Sequence, residues 1–229
     1  MFIGHFGLGF GAKRAAPAVS LGTLFIACQF ADLLWPTLVL LGYERVEVLA
    51  GATVMTPLNF ISYPYSHSLV ALCLWGLLLG GAYRFVRRGR IEAPLTIALL
   101  VVSHWVLDYI THRPDMPLTL NGSTRLGLGL WNSMAGTLLV EGVVFAAGVA
   151  LYLRGTTPRD RVGVWSFWSL VAFLVVVHLA STFGPPPPTA SAVAWSAQAM
   201  WLIVAWGYWI DRHRLPTRVQ ENRRQKTGN

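Results

Sequence analysis

Six stretches, each roughly 20 residues long and each nearly free of charge, leave this chain few ways to fold. They cover residues 18–42, 66–86, 93–112, 131–153, 163–183 and 191–210. Their length is what a helix needs to cross hydrocarbon. Hydrocarbon admits only backbones that satisfy their own hydrogen bonds, which means helices or closed barrels. Continuous apolar runs of this length, without alternation, select the helix. The expected fold is therefore all-α, a polytopic membrane protein of six transmembrane helices. Composition agrees, because only 12% of the residues are charged, about half the share of a soluble domain. At 229 residues the chain has no room for a separate soluble domain. Residues 1–210 read as one six-helix membrane domain and 211–229 as a basic, disordered tail.

The basic residues set the orientation. When the connections are numbered alternately, fifteen of the 18 Lys and Arg share a side with both termini. Only Arg45, Arg113 and Arg125 lie opposite. The positive-inside rule then puts both termini in the cytoplasm, and a count of five or seven spans would break the alternation. The net charge of +8 therefore reads as topology, and no specific nucleic-acid partner is expected. The expected partner is the bilayer itself, with the tail against anionic lipid. Cys28 and Cys73 lie inside apolar spans and form no disulfide framework. Lys13 and Arg14 follow the first apolar stretch, so 18–42 reads as an uncleaved signal-anchor helix.

Against this apolar background a few ionisable residues stand out: Asp32, His104, Asp108 and Glu141, with His67 at the mouth of the second span. An acid at mid-helix in a bilayer costs roughly 2.5–3.5 kcal/mol even on insertion scales, so such residues mark function. His104 and Asp108, in S-H-W-V-L-D, are four apart and share a helix face, with His112 one turn further. Neutral imidazole plus carboxylate at this spacing suits zinc and similar ions. The bland alternative is a His–Asp hydrogen bond that joins helices. Asp32 precedes Pro36 by four residues, which predicts a local irregularity near position 32. Glu141 falls near the midplane, at the depth of His104. His178 reads as a core residue. His5 sits in M-F-I-G-H-F-G-L-G-F-G, a piece too short to span. That segment either lies at the interface or re-enters as a short helix.

Taken in order, His5, Asp32, His67-Ser68 and His104-x-x-x-Asp108 resemble the YdjM-like, or LexA-binding-related, inner-membrane metal-dependent hydrolases. The resemblance extends to residues 1–6, 103–108, 112–118 and the G-P-P-P-P at 184–188. It implies a bacterial inner-membrane location, and His5, Asp32, His67, His104 and Asp108 as metal ligands. The chain departs from the family pattern at two places. Ala31 and Leu34 replace the Pro and the second Asp of P-D-x-D, and Ser62 and Tyr63 stand where H-R is the rule. Two ligands fewer point to one ion, zinc or a similar divalent metal, in preference to two.

The reading that follows is a metal-dependent hydrolase whose site opens to the outer half of the bilayer. Glu141 or His112 serves as proton acceptor, and the substrate is a lipid or other small amphipathic ester or phosphoester. The alternative is a proton- or cation-coupled transporter built on the same His, Asp and Glu cluster. A third possibility is a scaffold whose polar residues only lock helices together.

Overall fold

The computed structural model describes residues 1–88 and 90–217. In chain order its elements begin with α1 (Ile3–Ala15), α2 (Leu21–Cys28), α3 (Phe30–Leu40), β1 (Arg45–Val48) and β2 (Leu58–Ser62). Next come α4 (Pro64–His67), α5 (Leu69–Arg87), α6 (Glu92–Thr111), β3 (Met116–Pro117), β4 (Arg125–Leu126) and α7 (Met134–Gly155). The chain continues through β5 (Thr156–Pro158), α8 (Arg161–Phe183), α9 (Ala190–Ala197), α10 (Met200–Arg212) and β6 (Arg214–Pro216). The protein is mainly helical. Among the described residues four helices, α5, α6, α7 and α8, are long and apolar enough to cross a membrane, and α2 with α3 forms a fifth candidate bent by 58°. The last expected span is split into α9 and α10, neither of which reaches that length.

The connections are less plain than an all-helical reading implies. Three two-stranded antiparallel ladders pair β1 with β2, β3 with β4, and β5 with β6. The first two lie at one end of the bundle, where Arg125 donates to the Ile61 carbonyl at 2.8 Å. The third lies at the other, basic end and corrects the reading of 211–229 as disordered. Arg214 is 5% exposed there and donates to Thr156 and to the Gly163 carbonyl. Its guanidinium lies over Tyr152 and Phe167. Residues 211–217 are thus packed structure, and the rest of the proposed tail, 218–229, lies outside the described residues.

Helix α1 is buried against the other helices instead of lying on the surface of the bundle. Its thirteen residues span about 20 Å at 1.5 Å each. They run from the centre of the bundle to the basic end, where buried Lys13 meets Asp211 at 2.9 Å. Close approach to α7 makes this possible. A Cβ at Gly148 would lie 1.9 Å from the Gly7 carbonyl oxygen, so only glycine fits this crossing. Phe6 and Phe10 then pack edge-on against Phe25.

Candidate metal centre

Helix α1 delivers His5 to Asp108 on α6, with Nε2 3.0 Å from Oδ1. One turn back on α6, His104 places Nε2 3.2 Å from Asp108 Oδ2 and 3.8 Å from Asp32 Oδ1 on α3. His67, at the end of α4, lies 3.4 Å from Asp32 and 3.9 Å from Asp108. His112, just past α6, lies 3.8 Å from Asp108 Oδ2. Four ligands at 2.0–2.2 Å from a tetrahedral ion stand about 3.3–3.6 Å apart, and these separations bracket that value. Two overlapping triads, His5–His104–Asp108 and Asp32–His67–His104, each bring their ligand atoms within 4.8 Å of one another. All five residues expected as ligands therefore converge. The buried His and Asp groups are spaced to hold a metal ion.

The histidines are oriented from behind. His104 Nδ1 lies 2.9 Å from the carbonyl of Cys28, which can only accept, so the ring proton sits on Nδ1 and Nε2 keeps its lone pair. That carbonyl faces the ring at the break between α2 and α3. The break falls at Gln29, one turn before the position that Pro36 suggested, and Pro36 sits within α3. Both amide atoms of Gln29 are buried there without a partner. His67 Nδ1 lies 2.6 Å from Ser66 Oγ, and that hydroxyl donates onward to Glu44 Oε2 at 2.6 Å. The amides of Tyr65 and Ser66 fix the other oxygen of Glu44. Burial pushes the Glu44 carboxyl up, against these hydrogen bonds. His112 Nδ1 donates to Asp115 Oδ1 at 2.9 Å.

Three rings thus have their N–H groups committed outward and their Nε2 lone pairs aimed at carboxylates. A lone pair against a carboxylate is repulsive unless a metal ion or a second ring proton lies between, and outer acceptors of this kind are what orients metal-binding histidines. Among the described residues His104 Nε2 makes no hydrogen bond, for all its closeness to the carboxylates. His5 is the exception, since its Nδ1 is buried with nothing to bond. The Met1 nitrogen also contacts Asp108.

One face of the cluster is open. A cavity of about 700 Å³ reaches Asp32, His67, Asp108, His112 and Glu141, and is otherwise walled mostly by apolar side chains. Glu141 does not pair with His104 among the described contacts. Its Oε2 accepts from the amides of Phe2 at 2.8 Å and Gly4 at 3.4 Å, holding the otherwise unpaired first turn of α1. His178 is buried, but its Nε2 has no partner, so it is not the satisfied core residue expected.

Asp115, read from sequence only as a loop residue, is part of the site. Tyr63 donates to it at 3.0 Å and Arg113 at 3.1 Å. Burial works to raise its carboxyl, but bonds from His112, Tyr63 and Arg113 prevail and hold it below the usual range. The i, i+3 spacing in H-R-P-D was the available clue. Nothing in the sequence singled out Glu44, which is 21 residues from the nearest amide it accepts.

No family model, no curated protein and no solved structure matches the chain.

Proposed function

We propose that this protein is a membrane-embedded, metal-dependent hydrolase acting on an ester or phosphoester of an amphipathic molecule. The observation that carries the reading is the set of three Nε2 atoms turned inward on Asp32 and Asp108 by outer acceptors. Helix glue built from neutral rings needs the opposite arrangement, with N–H facing the carboxylate. Asp32, His67, His104 and Asp108 would hold the ion, zinc or a similar divalent metal, with His5 beside them. One ion suits the donor set better than two, because His5 lacks the outer acceptor that the other rings have. A divalent ion held here supplies Lewis acidity, polarising an ester or phosphoryl oxygen and acidifying water.

The residues around it do the rest. His112 presents Nε2 towards Asp108 and can accept a proton there. Asp115, kept ionised by Tyr63 and Arg113, stabilises the imidazolium that results, as an acid behind a catalytic histidine does. Glu141 reaches the same cavity and is the second candidate acceptor. The apolar walls exclude water and favour an amphipathic substrate.

The reading includes a six-span topology, with α9 and α10 as the last span, both termini cytoplasmic, and a bacterial inner-membrane location. Charge asymmetry supports this, as does the gathering of Lys13, Arg154 and Thr217 around one recess at the basic end. The ordered motifs shared with YdjM-like hydrolases support the activity. Metal analysis of the purified protein tests it. About one divalent ion per chain is expected, and loss of that ion in the variant carrying His104→Ala and Asp108→Ala. A metal-free wild type, or full retention in the double variant, would overturn the reading.

A second reading, a cation-coupled transporter, draws on the 58° break at Gln29 beside Asp32, because broken helices often carry ion sites. The cavity counts against it, since no residue from the basic end lines it among the described residues. Ion or proton uptake into proteoliposomes, abolished by Asp32→Asn, would establish transport instead.

A further inference from the structure

The cavity is larger than the polar cluster requires; part of the surplus lies towards Met55, Phe60 and Trp131, and a second arm runs the other way. From Asp32 and His67 it continues between α8, α9 and α10, where Phe173, Val177, Leu202, Ile203 and Trp206 form its wall. None of these is charged. Phe173 is 42% exposed and Leu202 71% exposed, yet both line the cavity. The arm therefore opens on the outer flank of the bundle, between α8 and α10, among side chains that face hydrocarbon in a membrane.

Of the polar side chains in this wall, one carries an unpaired buried atom among the described residues. His178, 5% exposed, lines the arm, and its Nε2 has no partner. Its ring is held beside Phe2, with centroids 6.3 Å apart. The neighbouring hydroxyls of Ser181 and Thr182 are already spent on the His178 carbonyl, at 2.9 and 2.8 Å. The Trp206 N–H is spent on the Ser166 carbonyl. A buried polar atom left unpaired in an apolar wall is costly, so it calls for a ligand that supplies its partner.

We infer that this arm takes an acyl chain of a membrane lipid, which enters sideways between α8 and α10. His178 Nε2 hydrogen-bonds an oxygen where the chain meets its head, and the ester or phosphoester is thereby placed at the His/Asp cluster. The inference rests on the hydrolase reading for what happens at the cluster. It rests on the cavity alone for what binds in the arm. Each carbon of a chain moved into the arm leaves lipid for protein, so affinity comes mainly from the head and from His178. The chain supplies position, which is what distinguishes a lipid from a water-soluble ester here.

The test uses full-length protein in nanodiscs containing a phospholipid with a photoactivatable group midway along one acyl chain. Cross-linked peptides are mapped and the metal content of the same samples is measured. Labelling should concentrate on peptides carrying residues 173–182 and 200–206. Leu202→Trp narrows the mouth at an exposed position without disturbing the core, and Val177→Trp fills the arm. Each should lower this labelling about tenfold, a change of about 1.4 kcal/mol, and leave metal content unchanged. His178→Phe keeps the ring and removes the nitrogens, and should lower labelling in the same way. Labelling spread evenly over every lipid-facing helix, or unchanged in Leu202→Trp and Val177→Trp, overturns the inference even where metal is bound. Arm-specific labelling in protein that proves metal-free upholds the lipid site and removes the hydrolase reading.

Discussion

Ser66 and Ser68 flank His67 and separate a metal-tuning contact from a merely structural one. Ser66 Oγ bridges the His67 ring and Glu44 through two contacts of 2.6 Å. Ser66→Ala removes both. Glu44 keeps two amide donors on its other oxygen, so the loop stays folded, but the His67 ring loses the acceptor that fixes its tautomer. Loss of such an outer contact typically weakens metal binding about 10–100-fold, or about 1.4–2.8 kcal/mol. Ser68 Oγ instead accepts the Ala71 amide at 3.1 Å and caps α5. Ser68→Ala should cost about 1 kcal/mol of stability and leave metal affinity alone. Chelator competition on both variants, beside thermal unfolding in detergent, reads the two effects separately. Equal metal affinity in Ser66→Ala and wild type would refute the claim that these histidines are held as ligands. A common loss in both variants would refute it too.

Three further outcomes follow from the same geometry. Gly148→Ala puts a carbon 1.9 Å from the Gly7 carbonyl, so α1 must shift; unfolding should come about 1–3 kcal/mol earlier, with weaker metal binding because His5 and the Met1 end move. Glu141→Gln keeps an acceptor for the α1 amides and should leave thermal stability nearly intact, whereas Glu141→Leu strands them at about 1–3 kcal/mol; if Glu141 takes the proton in turnover, both variants lose activity, and if only Leu does, its role is structural. Asp115, held below its ordinary 3.8, contributes stability that is present above that pH and lost as pH falls below it; Asp115→Asn should therefore be less stable than wild type at neutral pH, and the two melting curves should converge in acid.

Helix positions were legible because hydrocarbon leaves the backbone little choice. The expected second to fifth spans agree with α5 to α8 to within a few residues. The His104–Asp108 pair was legible because four residues is one helical turn. What was not legible depends on tertiary contact. Pro36 suggested a break near Asp32, but the chain breaks at Gln29, where the Cys28 carbonyl meets His104 Nδ1 across 76 residues. Asp115 and Glu44 sit in connections whose folding no periodicity describes. His178 looked like an ordinary core histidine, and only the cavity beside it shows its nitrogen unpaired. Arg214 falls in the stretch expected to be disordered, and only the pairing of β6 with β5 brings it into the packed end of the bundle.

The seat of α1 also dictates an order of assembly. Phe2 is anchored by Glu141, 139 residues later, and Gly7 by Gly148 beyond that. At a synthesis rate of about 5–20 residues per second, α1 waits roughly 7–28 seconds for its partner helix to exist. During that interval the face of α1 that carries Gly7 has no partner, although Phe6 and Phe10 already have Phe25 to pack against. Helix α1 thus takes its final seat only when α7, the third of the four long helices, arrives, and with it His5 takes its place in the His/Asp cluster.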